Sequence, residues 1–404
     1  MKRITILLLL LVSIGYICGC GSSVGPIARG SFPVSLTVSP KTASKTQGET
    51  QQYAATLAFS TGETQDLTTS VTWSSSDPAV ASIDPATGLA TGVTPGSVVI
   101  TATGTDFSDT ATLTVKPLPA NRLFISNFND DSISVFDIGA NGNVSPLRTI
   151  SGVATQLDGP SLSSLDGNEL FVPSTNNDSV RVFSSNGNGN IAPLRSLVGA
   201  QTGLVGPTGA TVIGNELFVA DLTGNSIRVF ARNANGDQLP TRVIAGAATA
   251  LDQPFLALAV GNEIAVPNFG SNSIAFFPLN ASGDVAPTRL INGAATGLLN
   301  VTGIAILNQE IFVCCGGNNS VRVFDVSDNG DVAPNRIISG AATTFDQPRA
   351  IAITNGELFI TNQGNNSITV FPASANGDVA PIRTIAGANT LMNLPISIVA
   401  GVAP

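Results

Sequence analysis

Between Val34 and Lys116 apolar and polar residues alternate in short runs such as "VSLTVSP", "QQYAATLAF", "SVTWSSS", "AVASID", "LATGV", "SVVITATG" and "TATLTVKP". Period-two alternation predicts half-buried strands, and turn residues every eight to twelve positions predict a β-sandwich. After "LPAN" the pattern changes. The apolar runs "RLFIS", "ELFVP", "ELFVA", "EIAVP", "EIFVC" and "ELFIT" begin at Arg122, Glu169, Glu216, Glu263, Glu310 and Glu357, each 47 residues after the last with no insertion or deletion. Each copy holds four strand candidates, which in the third are "ELFVAD", "NSIRVFA", "LPTRVIAG" and "PFLALAVG". The first two are joined by a short polar turn, and the next two by a Gly-containing hairpin such as "NANGDQ". Four strands in 40 to 50 residues is the arithmetic of a β-propeller blade. No helix is predicted after the N-terminal apolar run.

That run, "MKRITILLLLLVSIGYICGC", has a basic start (Lys2, Arg3), an apolar stretch too short to span a bilayer, and small residues at its end. It reads as a secretory signal over residues 1–19. Ile17-Cys18-Gly19-Cys20 resembles a bacterial lipobox, which implies cleavage before Cys20 and lipidation of that cysteine. The rival is a plain signal peptide with release of the protein. Gly21 follows where Asp would mark retention in the enterobacterial scheme, so the expected address is the cell envelope, lipid-anchored at the outer membrane. Residues 20–33 carry no periodic pattern and read as a tether. The expected organisation is a sandwich over 34–117, a linker over 118–121 and a propeller over 122–404.

Two family resemblances sharpen this. The stretch "VTWSSSDPAVASIDPATGLATGVTPGSVVITAT" resembles the bacterial immunoglobulin-like group 2 domain, which implies a spacing or adhesion role. Trp73 is then a core residue, against the alternative of a sugar-stacking platform. "QPRAIAITNGELFITNQGNNSITVF" (347–371) resembles NHL-repeat propellers, and lactonase-like propellers share much of that pattern. This alignment makes the strand after "QP" innermost and the "APxRxI" strand outermost. The first copy lacks a preceding inner strand and the chain carries a spare one, "LPISIVAG" (394–401). The expectation is therefore all-β: an Ig-like sandwich followed by a six-bladed propeller closed by the C-terminal strand, since an open ring would bare two sheet edges.

Composition narrows the chemistry. Charged residues are 11% of the chain, the net charge is −9, and the last Lys is Lys116, which argues against nucleic acid as a partner. There is no histidine, so Ser-His-Asp and Cys-His catalysis and His-based zinc sites are excluded. A Pro-x-Arg unit recurs at Arg148, Arg195, Arg242, Arg289, Arg336 and Arg383. On outermost strands, roughly 14 Å farther out than the first, these six cannot gather on one small ligand. They read as structural, bonding loop carbonyls or a carboxylate of their own or the next blade. The other reading is a repeated surface site for an anionic polymer.

After the first strand's apolar run stand Asn127, Ser174, Asp221, Asn268, Cys315 and Asn362. Their side chains either bond their own hairpins or form an axial ring for a sugar hydroxyl or Ca²⁺. Cys314 and Cys315 are two small buried residues, a vicinal disulfide, or a thiol metal site. "DVSDNGD" (325–331) reads as a hairpin turn, because its equivalents lack the carboxylates of a calcium loop. No cofactor, metal site or catalytic residue is expected. The functional expectation is a non-catalytic envelope lipoprotein, held at the membrane by Cys20, whose propeller binds protein or glycan. The alternatives are a lactonase-like hydrolase using Asn/Asp and a metal at the axis, for which Asp221 is the main acidic candidate, and a purely structural role.

Overall fold

The computed structural model describes residues 30–116 and 122–401. The expected signal segment, Cys20 and most of the expected tether lie outside the described residues. The chain divides into two compact units between Leu118 and Pro119, and the described residues form strands and eight short 3₁₀ turns.

In the first unit, Pro33–Ser39, Ala54–Phe59 and Thr64–Asp66 form one sheet. Thr42–Thr46, Ser108–Lys116, Gly96–Thr103 and Thr72–Ser75 form a second. Thr50–Gln52, Leu89–Gly92 and Ala81–Ile83 form a third. Ala111, Leu113 and Val115 alternate with outward residues along Ser108–Lys116 and meet Val38, Ile100 and Trp73 in one core. Trp73 is buried there, with Nε1 donating to the Thr68 carbonyl at 2.8 Å, so its polar edge is satisfied. Gly88 sits against the indole at φ +72, where an added Cβ would lie 2.7 Å from the ring.

Besides Thr64–Asp66, which no expected run covered, two strands of this unit differ from the expectation. "QQYAATLAF" is not one strand: it breaks at Tyr53 and sends its halves to different sheets. "TASKT" (Thr42–Thr46) has no apolar alternation, yet it pairs in parallel with Thr112–Lys116. Backbone hydrogen bonding to a well-packed neighbour overrides its weak pattern.

The second unit holds six antiparallel four-stranded sheets. In the third the order is Pro207–Ile213, Glu216–Asp221, Ser226–Ala231, Arg242–Ile244, from innermost to outermost. The first sheet is composite. Its innermost strand, Pro395–Gly401, pairs with Arg122–Asn127 in the register Leu123↔Ala400 and Ile125↔Ile398. None of the sheets closes on itself. The second strand of every sheet is buried on both faces, because each sheet packs against another on either side. That is why these runs are continuously apolar rather than alternating.

Neighbouring sheets are latched by a repeated contact. Asp237, Asp284, Asp331 and Asp378 accept the backbone N–H of Gln201, Ala248, Ala295 and Ala342 at 2.6–2.7 Å. Asn190 does the same for Ala154, and Asn143 for Asn389. A glycine lies beneath each latch. At Gly246, φ is +131 and an added Cβ would fall 2.2 Å from the Asp284 carboxyl carbon, so both space and backbone require Gly there. The "DVSDNGD" hairpin uses Asp331 for its latch and Asp328 to accept its own Asp325 N–H.

The innermost strands are not alike. Four run for seven residues, whereas Ser164–Asp166 and Leu258–Val260 have three. Each short one is preceded by an isolated antiparallel bridge, Pro160↔Ser174 and Pro254↔Asn268.

Candidate functional site

The recurrent arginines lie on the outermost strands and end on carboxylates. Arg195, Arg242, Arg289, Arg336 and Arg383 pair with Glu169, Glu216, Glu263, Glu310 and Glu357 of their own sheets. Several also reach the next sheet: Arg242 donates to the Leu279 carbonyl at 2.8 Å, and Arg336 to Ala373 and Ala375 at 3.0 and 2.9 Å. Arg383 reaches Ile138 at 3.3 Å, from the last copy to the first. Arg148 differs. Its own sheet carries Arg122 in place of the glutamate, so it keeps only the contact with the next sheet, donating to the Ser185 carbonyl at 2.8 Å. Burial, aided by Arg122, pushes its guanidinium down to about 10.

The ring expected at the axis is placed elsewhere. Asn127, Ser174, Asp221, Asn268, Cys315 and Asn362 are all fully buried, and none lines either central hollow. Asn127 donates to Ser132 and Ser134, and Asn362 to Ser367 and Thr369. Their side-chain amide oxygens, with that of Asn268, the Asp221 carboxylate and the Ser174 hydroxyl, each accept an N–H from the loop that enters their own sheet. Asp221 also takes Arg228 Nε at 2.9 Å. Burial raises its carboxyl above the usual range, opposed by Arg228 and the Val205 N–H. A carboxylate engaged in this way is not an open metal ligand. Among the described residues no group of three or more Cys, Asp or Glu side chains could hold a metal ion.

Cys314 and Cys315 are free thiols, which corrects the vicinal-disulfide alternative. Consecutive strand residues point to opposite faces. Cys314 packs in one apolar cluster with Phe345 and Ile351, and Cys315 in another with Ile304 and Val313. Burial holds both protonated, pushing Cys315 up to about 11 and Cys314 well above the usual thiol range.

Two central hollows remain. One, of about 470 Å³, is lined by all six innermost strands, with Leu165, Val212, Ala259, Ile306, Ile353 and Ala400 at equivalent positions. Its wall is mainly aliphatic. The other, of about 260 Å³, opens at the opposite ends of those strands. It is framed by two repeat positions: the residue just beyond the second strand's polar end, and the residue at the start of the innermost strand or, for the two short ones, three residues before it. The first set reads Phe128, Thr175, Leu222, Phe269, Gly316 and Gln363, and the second Ser161, Thr208, Phe255, Thr302, Arg349 and Ile396. Nine of these twelve line the hollow. Arg349 lies over Phe255 at 4.9 Å and Phe269 at 5.7 Å. Its Nε is sealed without a hydrogen-bond partner, as are Gln363 Oε1 and Ser161 Oγ. Burial pushes the Arg349 guanidinium down to about 10.

The sequence reading missed this mouth by one residue in each copy. Position 127 and its equivalents turn between sheets, whereas position 128 and its equivalents, one residue on, frame the hollow. The available signal was divergence: these two positions differ in nearly every copy while the rim repeats.

Among proteins of known sequence, Ice-binding protein 1 of Shewanella frigidimarina (strain NCIMB 400) is 42% identical over 99 residues, which is 24% of this chain and 11% of that protein. The chain thus matches about a tenth of that relative's length. Among solved structures, the periplasmic gluconolactonase PpgL of Pseudomonas aeruginosa is 14% identical with a TM-score of 0.49, covering 70% of this chain and 99% of that one. A chain of a nidogen/laminin complex is 13% identical with a TM-score of 0.49, covering 69% and 98%. Residues 34–115 match the bacterial Ig-like domain (group 2) family, so the first unit is a domain of that family.

Proposed function

We propose that the chain is a non-catalytic binding protein of the cell envelope. In this reading Cys20 carries a lipid anchor at the outer membrane, the Ig-like domain acts as spacer or adhesion module, and the six sheets form a closed six-bladed propeller of the NHL kind. The propeller presents its central mouth and surrounding loops to a protein or glycan. Closure is supported by the pairing of Arg122–Asn127 with Pro395–Gly401 and by the contacts of Arg383 with Ile138 and of Asn389 with Asn143.

One observation carries the binding role. The rim repeats from copy to copy, while the residues around the mouth do not. A scaffold can be copied unchanged, but an asymmetric partner needs unlike groups around it. The test has two arms. Cells expressing the full chain are labelled with radioactive palmitate, and label should appear in the wild type and vanish in Cys20→Ser; label that persists overturns the anchor. The purified chain is then applied to glycan and peptide arrays and incubated with gluconolactone. Retention on an array without lactone turnover is expected, and hydrolysis above the buffer rate overturns the non-catalytic reading.

A further inference from the structure

Seven arginines of the second unit end on a carboxylate. Arg349 does not; it is half-buried against two phenyl rings, with its Nε sealed. A buried cation without a counter-charge is costly. Arg122, Arg148, Arg181 and Arg322 likewise lack a carboxylate partner and have an unpartnered Nε, but none of them lines either central hollow. Arg349 has the 260 Å³ mouth in front of it. Two more residues of the same lining carry an orphaned, sealed polar atom: Ser161 its hydroxyl, able to donate, and Gln363 its amide oxygen, which needs a donor. The rest of the wall used here is Phe128, Leu222 and Leu394.

We propose that this mouth binds a small organic monocarboxylate that carries a hydrogen-bond donor beside its carboxyl group and an apolar body. Arg349 and Ser161 take the carboxylate, Gln363 accepts the adjacent N–H or O–H, and the phenyl and leucine side chains cover the body. N-acylated amino acids and 2-hydroxy acids share that chemistry. One cation matches one negative charge. A phosphate dianion would remain half-compensated in an otherwise neutral wall, whereas a planar guanidinium pairs a carboxylate in two parallel hydrogen bonds. The inference concerns the mouth on which the proposed binding role rests, but it needs neither the lipid anchor nor a protein or glycan partner.

The test is calorimetric titration of the purified chain with N-acetylphenylalanine, phenyllactate, 3-phenylpropionate, N-acetylphenylalaninamide and inorganic phosphate. The first two should bind. Removing the donor (3-phenylpropionate) or the charge (the amide) should each weaken binding at least tenfold, and phosphate should bind more weakly still. Which of the first two binds better identifies the source of the donor. Arg349→Met should lose at least tenfold in affinity while unfolding at the same or a higher temperature, because it removes an uncompensated buried charge. Gln363→Leu should erase the preference for N-acetylphenylalanine over 3-phenylpropionate. Equal binding of acid and amide, affinity unchanged in Arg349→Met, or a marked loss of stability in that variant would each overturn the proposal, the last by making the guanidinium a structural element.

Discussion

Arg122 stands where every other copy has a glutamate, and this one exchange leaves two arginines on a sheet that its siblings close with an ion pair. Arg122→Glu should recreate the pair with Arg148 and stabilise the second unit by about 1 kcal/mol, the scale of a partly exposed bridge, read as a higher urea midpoint. Gly246 offers the opposite test. Gly246→Ala forces a side chain onto Asp284 at a positive φ, so it should destabilise by about 2 kcal/mol or more. An Asp284→Gly partner change should recover part of that loss. At Cys314 and Cys315, burial and raised thiol pKa values predict no labelling by Ellman's reagent at pH 8 in the folded chain, and full labelling in guanidinium. The background is a Cys18→Ser, Cys20→Ser form.

At the level of strands, what was legible followed from how strongly each pattern was enforced. The runs of the second unit are buried on both faces and recur at a fixed interval, so their identity, order and the composite first sheet could all be read from the letters. Thr42–Thr46 and Thr64–Asp66 could not, because short polar strands are held by their neighbours' backbone and carry no alternation of their own. The mouth was hidden for another reason. Its residues are ordinary one by one, and Arg349 in "QPRAIAI" gains meaning only when the other five copies are found to lack a cation there. The rim pairs make a pH prediction. Hydrogen bonds from Arg195 and Arg383 hold Glu169 and Glu357 below the ordinary glutamate value of 4.5. A depressed folded-state pKa contributes stability that is fully present above the unfolded value and lost as pH falls through the folded one. Stability should therefore decline below about pH 4.5, and Glu169→Gln with Glu357→Gln should flatten that part of the profile in acid titrations followed by circular dichroism.

For the whole molecule, the decisive element is Pro395–Gly401. It gives Arg122–Asn127 its second partner, and its Ile398 packs in the same apolar cluster as Leu123 and Ile125. Ile398→Asp places a charge in that cluster without shortening the chain, so it should cost more than about 3 kcal/mol. It should also broaden the thermal transition of the second unit, while Trp73 fluorescence reports the Ig-like domain melting unchanged. A sharp, unaltered transition of the second unit would mean that this strand is dispensable.

The composite first sheet also has a consequence for biosynthesis. The strand made first in this unit waits through more than 260 residues of translation for its partner. During that interval its free edge can recruit other nascent chains. A ribosome that stalls within the final copy would release a product whose earlier sheets can form but whose opening sheet stays incomplete, so this stretch of the message is where premature termination should most readily produce aggregates.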